Sequence, residues 1–357
     1  MFETLGFEDT TAREASVLFG LGLGLAFGVL AQLTRFCLRR ALVGDDRRAA
    51  MGVWLTALAV AVIGTQAAVA AGWIGFGDHR FMAAELPVAA IVLGGLAFGA
   101  GMVLTRGCVS RLTVLAGGGN LRAVLVLLVF AVTAHATLKG VLAPLRTGLG
   151  SLTLETGSFT SLATLPGGAA LWAGLIAGGA LLYALRSGAA PLPLAGAAVI
   201  GLLVPLGWVG TGFVLFDEFE PIAMESLSFT SPMSETLFFT VASSAVPAGF
   251  GPALVGGVVL GALTASLLRG QFQWQSFENA AQTGRYLAGA ALMGVGGVLA
   301  GGCTLGAGLS GIPTLSLAAL LVLTAIALGG VAMNAALVRA ASAPAGSRPT
   351  RQAQPAE

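Results

Sequence analysis

The sequence predicts an all-α polytopic membrane protein: about nine transmembrane helices plus re-entrant half-helices, in two halves of inverted topology. Three observations predict it. Hydrophobic residues fill 56% of the 357 positions and charged residues only 10%, with a mean hydropathy of +0.89. A soluble domain carries about 25% charge, so there are too few charges here to coat a core of this size. The apolar residues fall in runs near the ~20 that a helix needs to cross a ~30 Å hydrocarbon layer. A cysteine motif recurs at the ends of such runs in both halves of the chain.

The runs are 16–33, 51–71, 87–105, 122–143, 168–185, 191–216, 250–268, 285–302 and 314–337. A tenth, 236–246, is too short to span and is expected to re-enter or lie at the interface. Charge orients the set. Arg35, Arg39, Arg40, Arg47 and Arg48 follow the first run, and Arg106, Arg111, Arg122, Arg186, Arg269, Arg285, Arg339, Arg348 and Arg351 fall on the same side. The positive-inside rule makes that side cytoplasmic. The stretch 217–235, with five carboxylates and no Lys or Arg, then falls outside. Residues 1–15 form an acidic outer segment that lacks the basic region of a signal peptide, so the first run is expected to be retained. Residues 16–338 form the transmembrane domain, with halves at about 16–185 and 191–338. The tail, 339–357, is rich in Ala, Pro, Ser and Gln and is expected to be disordered and cytoplasmic. A net charge of +2 implies no broad basic face for nucleic acid.

Glycine punctuates the runs. Gly20, Gly24 and Gly28, Gly95 and Gly99, Gly257 and Gly261, and Gly297 and Gly301 are spaced by four, which lets helices in lipid pack backbone to backbone. The cluster Gly301, Gly302, Gly306, Gly308 and Gly311 is too dense for that purpose and predicts a broken helix. Irregular backbone at membrane depth is tolerated only around a protein-lined or wet cavity.

All three cysteines lie in related motifs: Arg35-Phe-Cys37, Arg106-Gly-Cys108 and Gly301-Gly302-Cys303-Thr304, each with a glycine nine residues before the cysteine (Gly28, Gly99, Gly294). A degenerate copy places Gly210 at the cysteine position, followed by Thr211. The first two units end inward-going runs and the other two end outward-going ones. This is the pattern of an inverted repeat, in which substrate binds near the midplane at broken helices. No two cysteines are neighbours in sequence, so no disulfide framework is expected.

A thiol is polarisable and a weak hydrogen-bond donor, suited to a soft anion that must be held weakly and passed on. Cys37, Cys108 and Cys303 are therefore candidate path residues, although a lone buried cysteine is ordinarily just a small hydrophobe. Helix N-termini would compensate the anion's charge. Ser110, Thr304, Ser310 and Thr211 have two readings, as ordinary caps or as hydroxyl donors to the anion. Arg35 and Arg106 also have two, as topological anchors or as an electropositive inner vestibule. His135 and Lys139 share one face of an apolar run and are functional candidates by position. His79 sits in a polar loop. No nucleotide-binding loop or metal-type Cys/His spacing is present in the sequence, so no metal, cofactor or catalytic residue is expected.

At its cysteine motifs the sequence resembles the YeeE/YedE family of thiosulfate-uptake membrane proteins, most specifically at residues 301–311. The resemblance covers about 16–337 and implies an hourglass bundle in the bacterial inner membrane. It implies thiosulfate passed between the thiols of Cys37, Cys108 and Cys303 without net chemistry, beside the glycine backbone at Gly302. It also implies a small TusA-like cytoplasmic sulfur-carrier protein as partner. Some relatives handle selenium compounds instead. Two further readings stand beside uptake. One is a membrane sulfurtransferase carrying a cysteine persulfide, for which Arg35, Arg39 and Arg40 near Cys37 would supply the positive field a reactive thiolate needs. The other is a soft-metal channel. The stretches 151–166 and 217–235 are left unexplained by the motif match.

Overall fold

The computed structural model describes residues 10–157 and 159–342. The expectations for residues 1–9 and 343–357, including most of the acidic N-terminal segment and of the tail, fall outside the described residues. The helices are α1 (Ala12–Thr34), α2 (Leu38–Val43), α3 (Arg47–Ala70), α4 (Val88–Leu104), α5 (Val109–Gly117), α6 (Leu121–Lys139), α7 (Ala143–Gly150), α8 (Gly168–Arg186), α9 (Pro191–Val209), α10 (Thr230–Ala242), α11 (Phe250–Leu268), α12 (Ala280–Leu299) and α13 (Leu317–Ser342). Among the described residues nine helical stretches are long and apolar enough to cross a membrane. Three of them run past the points where hydropathy ends the prediction: Ala12–Val43, Val88–Gly117 and Ala280–Thr314 each continue beyond a cysteine as a second, shorter helical piece.

Helix packing is dominated by backbone contact. α1 lies along α11, α4 is clasped by α12 and α13, and α3 packs on α8 and α9. At the α1–α11 seam a Cβ on Gly24 would strike the Leu254 carbonyl, and one on Gly257 or Gly261 would strike the Leu21 or Leu25 carbonyl. On α4 a Cβ at Gly99 would meet the Ile326 carbonyl of α13, and Gly296 of α12 abuts α4 at Gly94 and Phe98. In lipid there is no hydrophobic drive between helices, so such close approach is what holds them. The four-residue glycine spacing therefore does what the sequence suggests at these seams, whereas Gly301 borders open space and serves a turn.

Helix α10, 13 residues long, is too short to span. It starts earlier than the apolar run 236–246 predicts, because Thr230, Pro232, Met233 and Ser234 are buried against the bundle. It packs on α6 and α11. The loop 151–166 also acquires a place. Leu154–Glu155 pairs antiparallel with Glu85–Leu86. The Leu162 N–H donates to the Leu315 carbonyl at 2.8 Å, and the Leu317 N–H to the Thr160 carbonyl at 3.1 Å. The loop thus braces the start of α13, where Leu315 adopts a left-handed φ of 63°.

The degenerate unit departs from expectation. Gly210 has φ −59° and ψ −51° and does not interrupt α9, which runs on through one π-helical turn, Gly210–Val214. The amide hydrogen bonds continue there, so no helix N-terminus opens at this position.

Gly257→Val is expected to destabilise the protein by about 1–3 kcal/mol or more through overpacking. Gly256→Val, one residue away and facing open space, is expected to be silent. Thermal melts of the purified protein in detergent check the pair.

Candidate functional site

The three cysteines stand on one repeated turn. α1, α4 and α12 each end with a left-handed residue, Arg35 (φ 53°), Arg106 (φ 61°) and Gly301 (φ 75°). The next amide reaches back five residues: Phe36 to the Ala31 carbonyl at 3.2 Å, Gly107 to Met102 at 3.0 Å and Gly302 to Gly297 at 2.9 Å. This is a Schellman stop. The cysteine follows as the N-cap of the next piece, extended and non-helical: Cys37 before α2, Cys108 before α5 and Cys303 before the π-helical turn Thr304–Gly311. At an N-cap the side chain looks at the free amides of the first turn. Each sulfur accordingly faces the amide three residues on, Arg40, Arg111 and Gly306. Only at Cys303 does that contact close to a hydrogen bond, from Gly306 N–H at 3.4 Å.

The fold gathers the three turns. Cys37 and Cys108, far apart in sequence, lie side by side as free thiols. The sequence leaves this proximity unforeseen. Thr304, next to Cys303, lies beside Cys108; its buried hydroxyl completes no hydrogen bond. Ser110 Oγ is 3.3 Å from the Cys108 sulfur. Cys108 and Cys303 are each 1% exposed and Cys37 is 9% exposed, so Cys37 is the most open of the set. Gly302 lets the chain fold back on itself, since a Cβ there would press on Ala307.

Cys303 sits deepest in donors. Its sulfur faces the amides of Gly306, Leu305 and Phe229. Phe229 belongs to the acidic stretch that the motif match leaves unexplained. Residues 226–230 run alongside the third turn with Leu227 and Phe229 fully buried. Ser310 Oγ donates to the Leu227 carbonyl at 2.7 Å. Ser310 therefore fastens this segment, and its hydroxyl is not free for an anion. Thr211 is also committed, donating to the Glu225 carbonyl at 2.8 Å and accepting from the Glu225 N–H at 2.9 Å. It pins the loop rather than joining the cysteines.

Arg35 and Arg106 are exposed and hold turn positions on the arginine-rich face. Arg111, read from the sequence only as an anchor, is the cation whose field falls on both Cys37 and Cys108. One buried guanidinium nitrogen, Nη1, has no partner. The missed signal is the spacing itself, because Arg111 stands at the third residue of the helix that Cys108 caps. Ring contacts among Phe27, Phe36 and Phe229, at 5.7 and 6.5 Å, bridge the Cys37 and Cys303 turns. His135 and Lys139 are elsewhere. The His135 ring stacks on Phe238 at 5.2 Å, and its Nδ1 is 3.1 Å from Ser234 Oγ. Both residues border a separate cavity with Glu235.

On the face opposite the arginines a cavity of about 450 Å³ opens toward the third turn. Its lining includes His79, Arg80, Trp208, Glu225, Gly306 and Ser310. His79, set aside in the sequence as a loop residue, packs edge-on to Trp208 at 5.2 Å. Sulfur, hydroxyl and amide groups of the three turns thus lie between this cavity and the arginine-rich face.

A protein-family model described as Sulphur transport matches residues 27–332, a stretch that contains all three cysteine turns. Comparison with curated proteins finds no match.

A methyl group at Gly301 meets no atom, so the cost of Gly301→Ala comes only from the left-handed backbone, about 1–2 kcal/mol. Arg106→Gly removes the same strain and is expected not to lower the melting temperature. Differential scanning fluorimetry on both variants checks the shared turn geometry.

Proposed function

The chain belongs to the sulphur-transport family of membrane proteins, the YeeE/YedE proteins, and on that premise we propose that it takes up thiosulfate or a closely related sulfur anion across a bacterial inner membrane. The observation that carries the proposal is the convergence of three cysteines, each at the start of a helical piece and each facing backbone amides. Such termini favour anions through free N–H groups and the helix dipole. Thiols add polarisable contacts that are individually weak. A path of several weak sites lets an anion enter and leave.

The path runs from the cavity by Arg80 to the amide cradle of Cys303, past Thr304 to Cys108, and on to Cys37. Arg111 and Ser110 receive the anion there, and the exposed Arg35 and Arg106 draw it to the cytoplasm. No bond of the anion breaks, so the protein acts as a carrier and not as an enzyme. The arginine-rich face is cytoplasmic by the positive-inside rule, which places the N-terminus in the periplasm and the C-terminus inside. A small TusA-like carrier protein docks on that inner face, as the family resemblance implies.

The packing supports two halves of opposite topology, about 16–185 and 191–338. The pairing of α1 with α11 matches that of α9 with α3, and α4 with α13 matches α12 with α6. Exchanging α1, α3, α4 and α6 for α9, α11, α12 and α13 maps one set of contacts onto the other. Only the α9 end lacks a broken turn.

Cys108→Ala and Cys303→Ala are each expected to abolish uptake while leaving folded protein in the membrane. Arg111→Gln is expected to slow it about tenfold, the worth of one charge-assisted hydrogen bond. The measurement is growth on thiosulfate as sole sulfur source in a bacterium stripped of its own sulfate and thiosulfate uptake. Wild-type growth of both cysteine variants would remove the thiols from the path.

A further inference from the structure

The cavity opposite the arginine-rich face, where the cysteine path begins beside Arg80, holds further charged groups to which that path gives no role. Asp78, His79 and Arg80 come from the loop between α3 and α4, Glu225 from the loop after α9, and Glu235 from α10. Gly306 and Ser310 at its floor belong to the third cysteine turn. Arg80 is enclosed by protein mass, yet its side chain remains exposed to the cavity, as befits a group on the wall of a deep mouth. It lies 5.1 Å from the Phe81 ring centroid. Among the described residues no carboxylate reaches ion-pair distance of it. Its charge interacts with Glu225, Glu235 and Cys303.

His79 adds no second cation. Burial and the neighbouring Arg80 push its pKa down to about 4, and its Nδ1 accepts the Phe81 N–H at 3.3 Å, as a neutral ring does. Glu225 is held in place by the two backbone hydrogen bonds to Thr211. Burial, and then the charge of Glu235, raise its pKa to about 7, with Arg80 pulling the other way. Glu235 is itself pushed up by burial and drawn back by Lys139 and Arg80. Arg13 and Glu220 border the adjoining cavity, which shares Glu225 and Glu235.

We propose that this mouth is a proton-linked anion site, in which Arg80 receives a small tetrahedral oxyanion only when Glu225 carries a proton. The proposal deepens the uptake reading and takes its direction of transport from it. With Glu225 ionised, an incoming dianion meets its carboxylate as well as those of Asp78 and Glu235 on the same wall, and these outweigh the field of Arg80. With Glu225 protonated, one opposing charge is removed from beside Arg80 and the carboxyl becomes a donor. Linkage makes the effect reciprocal: the bound anion holds the proton on Glu225. Each anion therefore binds at the mouth together with one proton on Glu225, which makes loading of the site pH-dependent; the proton is released again on the same side when the anion moves on. The sign follows from the raised pKa. Affinity is full below about neutral pH and falls about tenfold per unit above it, the limit for one linked proton. The mouth reads charge and size, so sulfate competes with thiosulfate here, and discrimination is left to the thiols below.

The test is equilibrium binding of radiolabelled thiosulfate to the purified full chain at about pH 6 and about pH 8, with unlabelled sulfate as competitor. Wild type is expected to bind about tenfold more weakly at the higher pH. Glu225→Gln should bind equally at both, near the low-pH affinity, and Arg80→Gln should lose binding while keeping the wild-type melting curve. Cys303→Ala should retain the pH-dependent site. If Cys303→Ala still transports, the cysteine path fails and the mouth survives. A wild type that binds with no pH dependence, an Arg80→Gln variant that binds normally, or no binding at all would overturn the proton-linked site.

Discussion

Every break in an apolar helix leaves amides and carbonyls that hydrocarbon cannot satisfy. The rest of this structure depends on how three such breaks are closed. The amides of Phe36, Gly107 and Gly302 each reach back to a carbonyl five residues earlier, so the outgoing carbonyls are partly met before the chain turns. The amides of the next helical piece stay open on the other side, and the cysteines are set among them. One turn thus does two things: it meets the outgoing carbonyls of the first helix, and it starts a second helical piece whose first amides face a cysteine sulfur. The same economy is absent at Gly210, where the helix continues and no donors are released.

Bringing three such turns together requires helices that approach almost to backbone contact. The glycine seams between α1 and α11, and between α4 and its partners α12 and α13, provide this. α4 occupies the centre, carrying the Cys108 turn at its end while both flanking helices press on its glycines. The segment 226–230 and the start of α10 then close the third turn from the other side, through Phe229 and the Leu227 carbonyl. A stretch that looks like an acidic surface loop is thereby half inside the site. Its buried end packs on the third turn, while its carboxylates Glu225 and Glu235 line the cavity beside it.

Much of this was legible from residue order. Composition and run length predict the nine spans, and the recurring cysteine motif predicts broken helices and where they break. Gly301 in the third motif already hints at a left-handed position; Arg35 and Arg106 conceal it, because arginine rarely adopts that conformation and gives no sign that it does so here. Hydropathy ends each run at the cysteine, since the short pieces α2 and α5 are too brief or too mixed to register as apolar. The adjacency of Cys37 and Cys108 is a tertiary fact with no local trace. Thr211 and Ser310 have the hydroxyls that a donor role asks for, but a hydroxyl near a turn cannot reveal that a distant carbonyl claims it. Arg80 and Glu225 were invisible for a similar reason: each is an ordinary loop charge until the loops are folded against one another.

Trp208 occupies a singular place in this arrangement. Its indole N–H donates to the Ser310 carbonyl at 3.3 Å, at the end of the third turn, while its ring meets Phe76 and His79 edge-on, each at 5.2 Å. One rigid side chain is therefore shared between the floor of the mouth and the backbone behind Cys303. Indole emission responds to the polarity and hydrogen bonding around the ring, so the protein carries an intrinsic optical gauge at the junction of its two candidate sites. With the other four of the five tryptophans replaced, filling the mouth and shifting the turn would each be read from that one fluorophore, and their order becomes a matter of kinetics that can be followed without any added label.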